Sequence, residues 1–482
     1  MPPTPSIRIR AENNRPIDAS GDFVLYWMTA ARRTRFNFAL QRAVELSEDL
    51  GRPLAILEAL DVDYPFASDR LHAFVIDGMR ANARAAAAAG ARYYPYIEPG
   101  HGARRGLLQA LAASAAVVVT DWFPAPRAQR VRGAAARLCR VRLEAVDSTG
   151  LIPVAAHERA FPTARGYRAF VQRTLRSHLA EFPEEEPLGR VRTPPPALPS
   201  AITTRWPAAD LASPTTRTLS ALPIDHSVSP AATGGADVAQ RALGTFVRDK
   251  LVRYGDESND PDADVTSRLS PYLHFGHVSA HEIFSAVMTS ERWTTRRLGQ
   301  TRAGARRGWW GTSPGAEHFL EQLVVWRELA FNGSARLPGF ERYETLPAWA
   351  RGTLEAHLDD PRPRLYSLEQ LDAAETHDEL WNAAQRQLRR EGWCHGYMRM
   401  LWGKKILEWS RHPADALDRM AHLMDRYSLD GRDPVSYLNY GWVLGRYDRP
   451  WPERPIFGTV RCMTSESARR KLEVKSYLAR YG

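Results

Sequence analysis

Apolar residues in the first third of the chain fall into short unbroken runs. Residues 23–27 (FVLYW), 53–57 (PLAIL) and 116–120 (AVVVT) read as buried strands, and 93–97 as a weaker one. Between them the pattern turns amphipathic over 34–50 and 68–89, the second stretch ending at Gly90, a residue suited to the left-handed position after a helix. Strands alternating with helices predict an α/β domain with a doubly wound parallel sheet. No G-x-G-x-x-G follows the first strand, so the dinucleotide fingerprint is absent.

Residues 156–182 read as helical and basic. Residues 183–235 are rich in proline, alanine, serine and threonine, the composition of a connector that wraps a surface rather than a folded core. From Asp237 the apolar spacing is helical over 237–254, 280–289, 315–329, 367–391 and 395–411. The expected organisation is therefore an α/β domain over 1–160, a helical and proline-rich connector over 161–235, and an all-helical domain over 236–482. Residues 290–314 interrupt the last with six arginines and three tryptophans, a nucleic-acid-facing loop or a solvated insertion. There are no internal repeats.

Composition narrows the classes. A chain of 482 residues with 44% hydrophobic residues holds two or three domains with sizeable cores. No run of about 18 apolar residues exists, so no membrane span is expected. The N-terminus lacks an apolar signal core, and the expected location is cytoplasmic, nucleoid-associated and of bacterial type. Three dispersed cysteines (Cys139, Cys394, Cys462) cannot build a disulfide framework or a four-thiolate cluster, and no metal site is expected. The formal charge is +10, with arginine dominating over lysine. Planar guanidinium groups beside aromatics in the C-terminal half suit nucleic-acid phosphates and bases.

Four tryptophans crowd one basic helical stretch: Trp381, Trp393, Trp402 and Trp409. Trp402 and Trp409 are seven apart, two helical turns, and share a face. Trp381 lies 21 residues before Trp402, on the preceding helix. Such indoles either fill a core or pass single electrons toward a buried redox cofactor.

Long segments of the C-terminal half carry a resemblance. SRLSPYLHFGHVS (267–279), LWNAAQ (380–385), HGYMRMLWGKKILEW (395–409), DRYSLDGRDP (425–434) and ERPIFGTVRCM (453–463) resemble the photolyase/cryptochrome superfamily, specifically class II cyclobutane-pyrimidine-dimer photolyases. YWM (26–28), VVVTD (117–121) and VDSTGLIPV (146–154) match more loosely. The resemblance implies an α/β domain that holds an antenna chromophore (a deazaflavin, a folate or none) and an all-α domain that binds FAD and DNA containing UV lesions. It implies a monomer with no metal. The implied reaction is light-driven: excited FADH⁻ gives an electron to a dimer flipped out of DNA, the cyclobutane ring splits, and the electron returns.

The same resemblance assigns residues. Ser267, Leu269 and Ser270, before a Pro271-led helix, face the FAD diphosphate. Tyr254 and Asn382 line the flavin, Arg399 and Asp430 pair beside its ring, and Asp433 is a second carboxylate there. Trp402 is nearest the flavin, Trp381 the middle of the relay and Trp409 its exit. Trp326, Met400 and Trp442 line the lesion cavity, where aromatic walls receive an unstacked base. By their charge, and not by the resemblance, Arg389, Arg390, Lys404, Lys405 and Arg461 are candidates for phosphate contact.

Three departures surround flavin N5 and the lesion. Met424 stands where the family has asparagine, Glu321-Gln322 replaces a pair of glutamates, and Ser258-Asn259 replaces an arginine-asparagine pair. The turn at Gly392-Trp393-Cys394 also differs. Three readings follow: dimer repair, a cryptochrome-like flavin photoreceptor or non-repairing DNA-binding homologue, and repair of a different lesion such as the (6-4) product, for which His395 and His422 identify no role.

Overall fold

A computed structural model describes residues 2–300 and 303–482. Met1, Thr301 and Arg302, the last being one of the six arginines of the 290–314 stretch, lie outside the described residues. The chain forms two compact units. One comprises Met1–His157, Arg173–Thr245 and Arg268–Arg292, and the other Glu158–Gln172, Phe246–Ser267 and Trp293–Gly482.

The first unit is built on a six-stranded sheet: β1 (Ile9–Ala11), β2 (Phe23–Met28), β3 (Leu54–Leu60), β4 (Arg92–Ile97), β5 (Ala115–Trp122) and β6 (Leu143–Asp147). The order is β1-β6-β5-β2-β3-β4, with β1 antiparallel and every other pairing parallel. All six residues of β2 are buried because helices cover both faces, so no polar alternation appears. One face packs Val24, Tyr26, Ile56 and Val119 against α1 (Phe38–Leu50); the other packs Phe23, Leu25, Leu57 and Val118 against α3 (Leu107–Ser114) and α4 (Pro126–Leu138).

Local signals set the helix ends. The pattern predicts a helix from 34, but α1 starts at Phe38 because Asn37 caps it, accepting hydrogen bonds from Ala39 N and Leu40 N. α2 (Asp69–Ala88) ends before Gly90, which takes φ 69°, as its sequence position predicts. The proline-rich stretch forms short helices at Ser200–Arg205 and Thr215–Ser220. It sends Ile202 and Trp206 into the β-sheet core and Leu219 and Leu222 against α2.

The second unit is helical. Its central helices are α5 (Glu379–Glu391), α6 (Gly396–Glu408), α7 (Pro413–Tyr427) and α8 (Pro434–Val443), with α6 packed on the other three. Close approach depends on Gly403, where a Cβ would sit 2.7 Å from Val443 Cγ2 and 2.9 Å from Met420 Sδ. Two π-helical segments, Phe246–Lys250 and Glu321–Trp326, belong to this unit. Such wide turns recur at functional sites. Among the described residues no helix is long and apolar enough to cross a membrane.

Candidate redox and lesion site

Asp378 caps α5 by accepting from Leu380 N and Trp381 N, each at 3.1 Å, and so fixes Trp381 in the first turn. The indoles of Trp381 and Trp402 then lie parallel, centroids 6.3 Å apart and planes 2° apart. Trp381 Nε1 donates to Trp402 O (3.0 Å) and Trp402 Nε1 to Gln385 Oε1 (2.9 Å), so neither ring is free to turn. Trp409 meets the other side of Trp381 at 5.4 Å and 68°. The geometry orders the three indoles as Trp402, Trp381, Trp409.

Trp409 is only 2% exposed. Contact with solvent passes instead through Tyr366, 5.1 Å from Trp409, and the exposed His377, 5.5 Å from it. Tyr366 Oη lies 2.6 Å from His377 Nδ1 and accepts from His377 N (3.0 Å). Sequence reasoning missed both residues, because they stand in irregular segments without a period to single them out.

Arg399 and Trp402 are three apart on α6 and share a face. Arg399 Nη2 reaches Asp430 Oδ1 and Oδ2 at 3.1 and 3.3 Å, and both residues are buried. Ser428 Oγ donates to Asp430 Oδ1 (2.5 Å) and Ser436 Oγ to Asp430 O (2.7 Å). Two buried atoms nearby have no protein partner, Arg399 Nε and Tyr440 Oη. The Arg399 charge acts on the Tyr440 phenol, which burial nevertheless keeps neutral. Buried donors are almost always paired, so this slot fits a polar ligand, and the carbonyl and nitrogen edge of an isoalloxazine supplies the needed acceptors.

Other predicted flavin residues hold varied positions. Met424 is buried on α7. Asn382 is committed to Thr376, receiving from its N (3.1 Å) and Oγ1 (2.8 Å) and donating to its O (2.8 Å). Asp433 caps α8 through Val435 N (2.8 Å). Tyr254 packs edge-on against Phe246 and Phe319. Ser267 falls in the second unit, Leu269 and Ser270 in the first, where Ser270 opens the short helix Ser270–His274.

On the predicted lesion side, Gln322 is exposed and Trp326 half-buried on one π segment, where Arg327 N donates to Gln322 O. Glu321 is buried and clamped by Arg168 Nε (3.1 and 3.0 Å) and Nη2. Met400 and Trp442 are half-buried, as is Ser258 at the end of the helix Leu251–Glu257, whereas Asn259 is exposed. Arg389 and Arg390 are exposed. Lys404 is 0% exposed, donating to Val443 O at 2.5 Å, and Lys405 is buried against Glu408 (3.0 Å). Neither lysine is open to phosphate; the sequence shows their charge but not their burial. Gly392 ends α5 at φ 63°, its carbonyl accepting from Leu429 N (2.8 Å), and burial pushes the Cys394 thiol up to about 12.

The first unit holds a cavity of about 440 Å³ at the carboxyl ends of β2 and β3, lined by Trp27, Leu57, Ala59, Leu107, Val131 and Leu138 among others. In an open α/β sheet this is where ligands bind.

No protein-family model matches the sequence. The chain is 34% identical to a deoxyribodipyrimidine photo-lyase of Methanothermobacter thermautotrophicus, covering 98% of this chain and 97% of that protein. It is 34% identical to the one of Oryza sativa (95% and 87% covered) and 31% to that of Arabidopsis thaliana (96% and 90%). A bacterial class III photolyase from Agrobacterium tumefaciens shares the fold at TM-score 0.67 and 17% identity, covering 96% of this chain and 86% of that one. Near-complete coverage at this identity places the chain in the deoxyribodipyrimidine photo-lyase family, within the photolyase/cryptochrome superfamily.

Proposed function

We propose that this protein is a light-driven, FAD-dependent enzyme that splits cyclobutane pyrimidine dimers in DNA. The observation that carries the reading is the buried Trp402–Trp381–Trp409 stack beside the Arg399–Asp430 pair, with Arg399 Nε and Tyr440 Oη left for a ligand. FAD would supply the chemistry, delivering from its fully reduced, excited form the electron that opens the cyclobutane ring and accepting it back.

The chain's own residues bind, orient and recharge. Arg399 offers a fixed positive charge that favours an anionic reduced ring, and Asp430 keeps the guanidinium oriented. Trp402, Trp381 and Trp409 carry electrons inward one at a time. Tyr366 refills Trp409, giving its phenolic proton to His377 Nδ1; a small thiol in solution returns the electron and His377 the proton. Trp326, Met400 and Trp442 offer an apolar wall to a flipped dimer, and stacking of this kind is worth about 1–3 kcal/mol per base. Exposed Arg389 and Arg390 meet phosphates. The cavity of about 440 Å³ in the first unit suits a planar antenna, a deazaflavin or a folate.

A second reading, a flavin photoreceptor or DNA binder that does not repair, is favoured by Met424, Gln322 and Ser258-Asn259. Blue light on the fully reduced protein with a UV-irradiated oligonucleotide separates the two. Dimers should disappear with turnover. Normal photoreduction with no dimer loss would establish the receptor reading instead.

A further inference from the structure

We infer that Lys404 and Arg461 form an electrostatic guard over Trp442, keeping this lesion-side indole from giving up an electron so that light-driven reduction draws on the Trp402 stack alone. The inference rests on the flavin reading above. Lys404 Nζ lies 5.3 Å and Arg461 Cζ 5.6 Å from the centre of the Trp442 ring. Among the described residues no carboxylate comes within ion-pair reach, 4.0 Å, of either cation. The acid that acts on Lys404 is Asp448, whose Oδ1 is taken by Arg449 N (2.9 Å) and Trp451 Nε1 (3.3 Å) and whose Oδ2 is buried without a partner.

The relay is arranged otherwise. No cation stands over Trp381 or Trp402 among the described residues. Lys405 does approach Trp409, at 5.6 Å, but Glu408 (3.0 Å) and Asp378 (3.9 Å) offset its charge. A cation beside an aromatic ring stabilises its electrons and opposes the positive charge left by oxidation. A unit charge at 5.3 Å, through an effective dielectric of about 20, biases an electron-exchange equilibrium about two-hundredfold. That suffices to separate two indoles of equal intrinsic reactivity. It also gives a buried lysine, costly where it stands, a task.

The guard is tunable. Burial draws the Lys404 ammonium down to about 7, opposed by Asp448 and assisted by Arg461. Burial keeps the Cys462 thiol neutral, and Arg461 holds its charge, so raising the pH through 7 removes one of the two cations.

Photoreduction of the FAD-loaded protein with an external thiol tests this. Trp402→Phe should cut the rate to a residue at pH 6. Adding Lys404→Met should raise that residue at least tenfold, with Trp442 supplying the electron and the thiol restoring it, and Trp442→Phe in the same chain should abolish the gain. Trp402→Phe alone should reduce faster at pH 8.5 than at pH 6, and Trp402→Phe/Trp442→Phe should not; this series decides the matter if the Lys404 variant fails to fold. A flat series, or a gain that survives loss of Trp442, overturns the guard while leaving the flavin reading intact. Wild-type protein that takes up no flavin overturns both.

Discussion

Asp430→Asn isolates the charge of the Arg399–Asp430 pair proposed to stand beside the flavin. The substitution keeps the side chain's size, and an amide oxygen can still accept from Ser428 Oγ, now 2.5 Å from Asp430 Oδ1. What disappears is the negative charge 3.1 Å from Arg399 Nη2, in a site where Arg399 is 8% and Asp430 6% exposed. Breaking one side of a buried pair costs about 3–5 kcal/mol, and the retained hydrogen bonds put this case near the lower end, about 3 kcal/mol. An anionic reduced flavin would restore part of the missing counter-charge, whereas oxidised FAD is neutral at the ring. Urea unfolding of the helical unit should therefore show a larger deficit with oxidised FAD than after anaerobic photoreduction. FAD fluorescence on dilution should show the same ordering of cofactor release. Asp430→Asn/Arg399→Met should recover much of the loss, since no lone charge remains buried. An equal deficit in both redox states, or a deficit below about 1 kcal/mol, would refute the placement of the pair beside the ring.

Two further outcomes follow from named contacts. Tyr366→Phe keeps the aromatic ring near Trp409 but removes the phenol that meets His377, so thiol-supported photoreduction should slow several-fold while the first flash-induced electron transfer is unchanged; equal steady-state rates would remove Tyr366 from the exit. Met424→Asn adds a hydrogen-bonding amide on α7 in place of a thioether, and the reduced flavin should reoxidise in air at a measurably different rate; identical decay curves would take Met424 away from flavin N5.

Much of this was legible in the residue pattern, and the gaps have physical causes. β2 and β5 stand out because burial on both faces leaves no polar alternation. β6 (LEAVD) does not, because Glu144 and Asp147 read as surface residues although both are buried, Glu144 against Arg42 Nε (2.9 Å) and Asp147 against Thr149 N (2.9 Å) and Val154 N (2.8 Å). Ile202 and Trp206 were hidden in the proline-rich stretch because isolated apolar anchors have no period. Spacings of 7 and 21 drew out Trp381, Trp402 and Trp409, and in the structure Trp381 packs against both of the others. Tyr366 completes their path to the surface only in three dimensions. The π turn at Glu321–Trp326 has no sequence signature, because its i to i+5 hydrogen bonds are consistent with an ordinary helical pattern.

The substitutions that depart from the class II pattern the chain resembles bear unequally on the two halves of the proposed cycle. Glu321 cannot take over the part of the missing second glutamate, since Arg168 engages its carboxylate through Nε and Nη2. The group facing solvent from that turn is Gln322, an amide with a donor and an acceptor but no acidic proton. Ring splitting with return of the electron consumes and releases no proton overall, so it does not require an acid at this point. Exchanging a charged for a neutral hydrogen bond costs about 1 kcal/mol, about a fivefold loss of lesion affinity. The indole stack and the Arg399–Asp430 pair are built from other residues: Trp381 and Gln385 on α5, Arg399 and Trp402 on α6, Trp409 just after it with Tyr366 and His377, and Asp430 beyond α7. The substitution at Gln322 thus weakens the proposed hold on the lesion while leaving in place the residues proposed to supply electrons, and since ring splitting needs no acid from this turn, the dimer-splitting proposal survives the change.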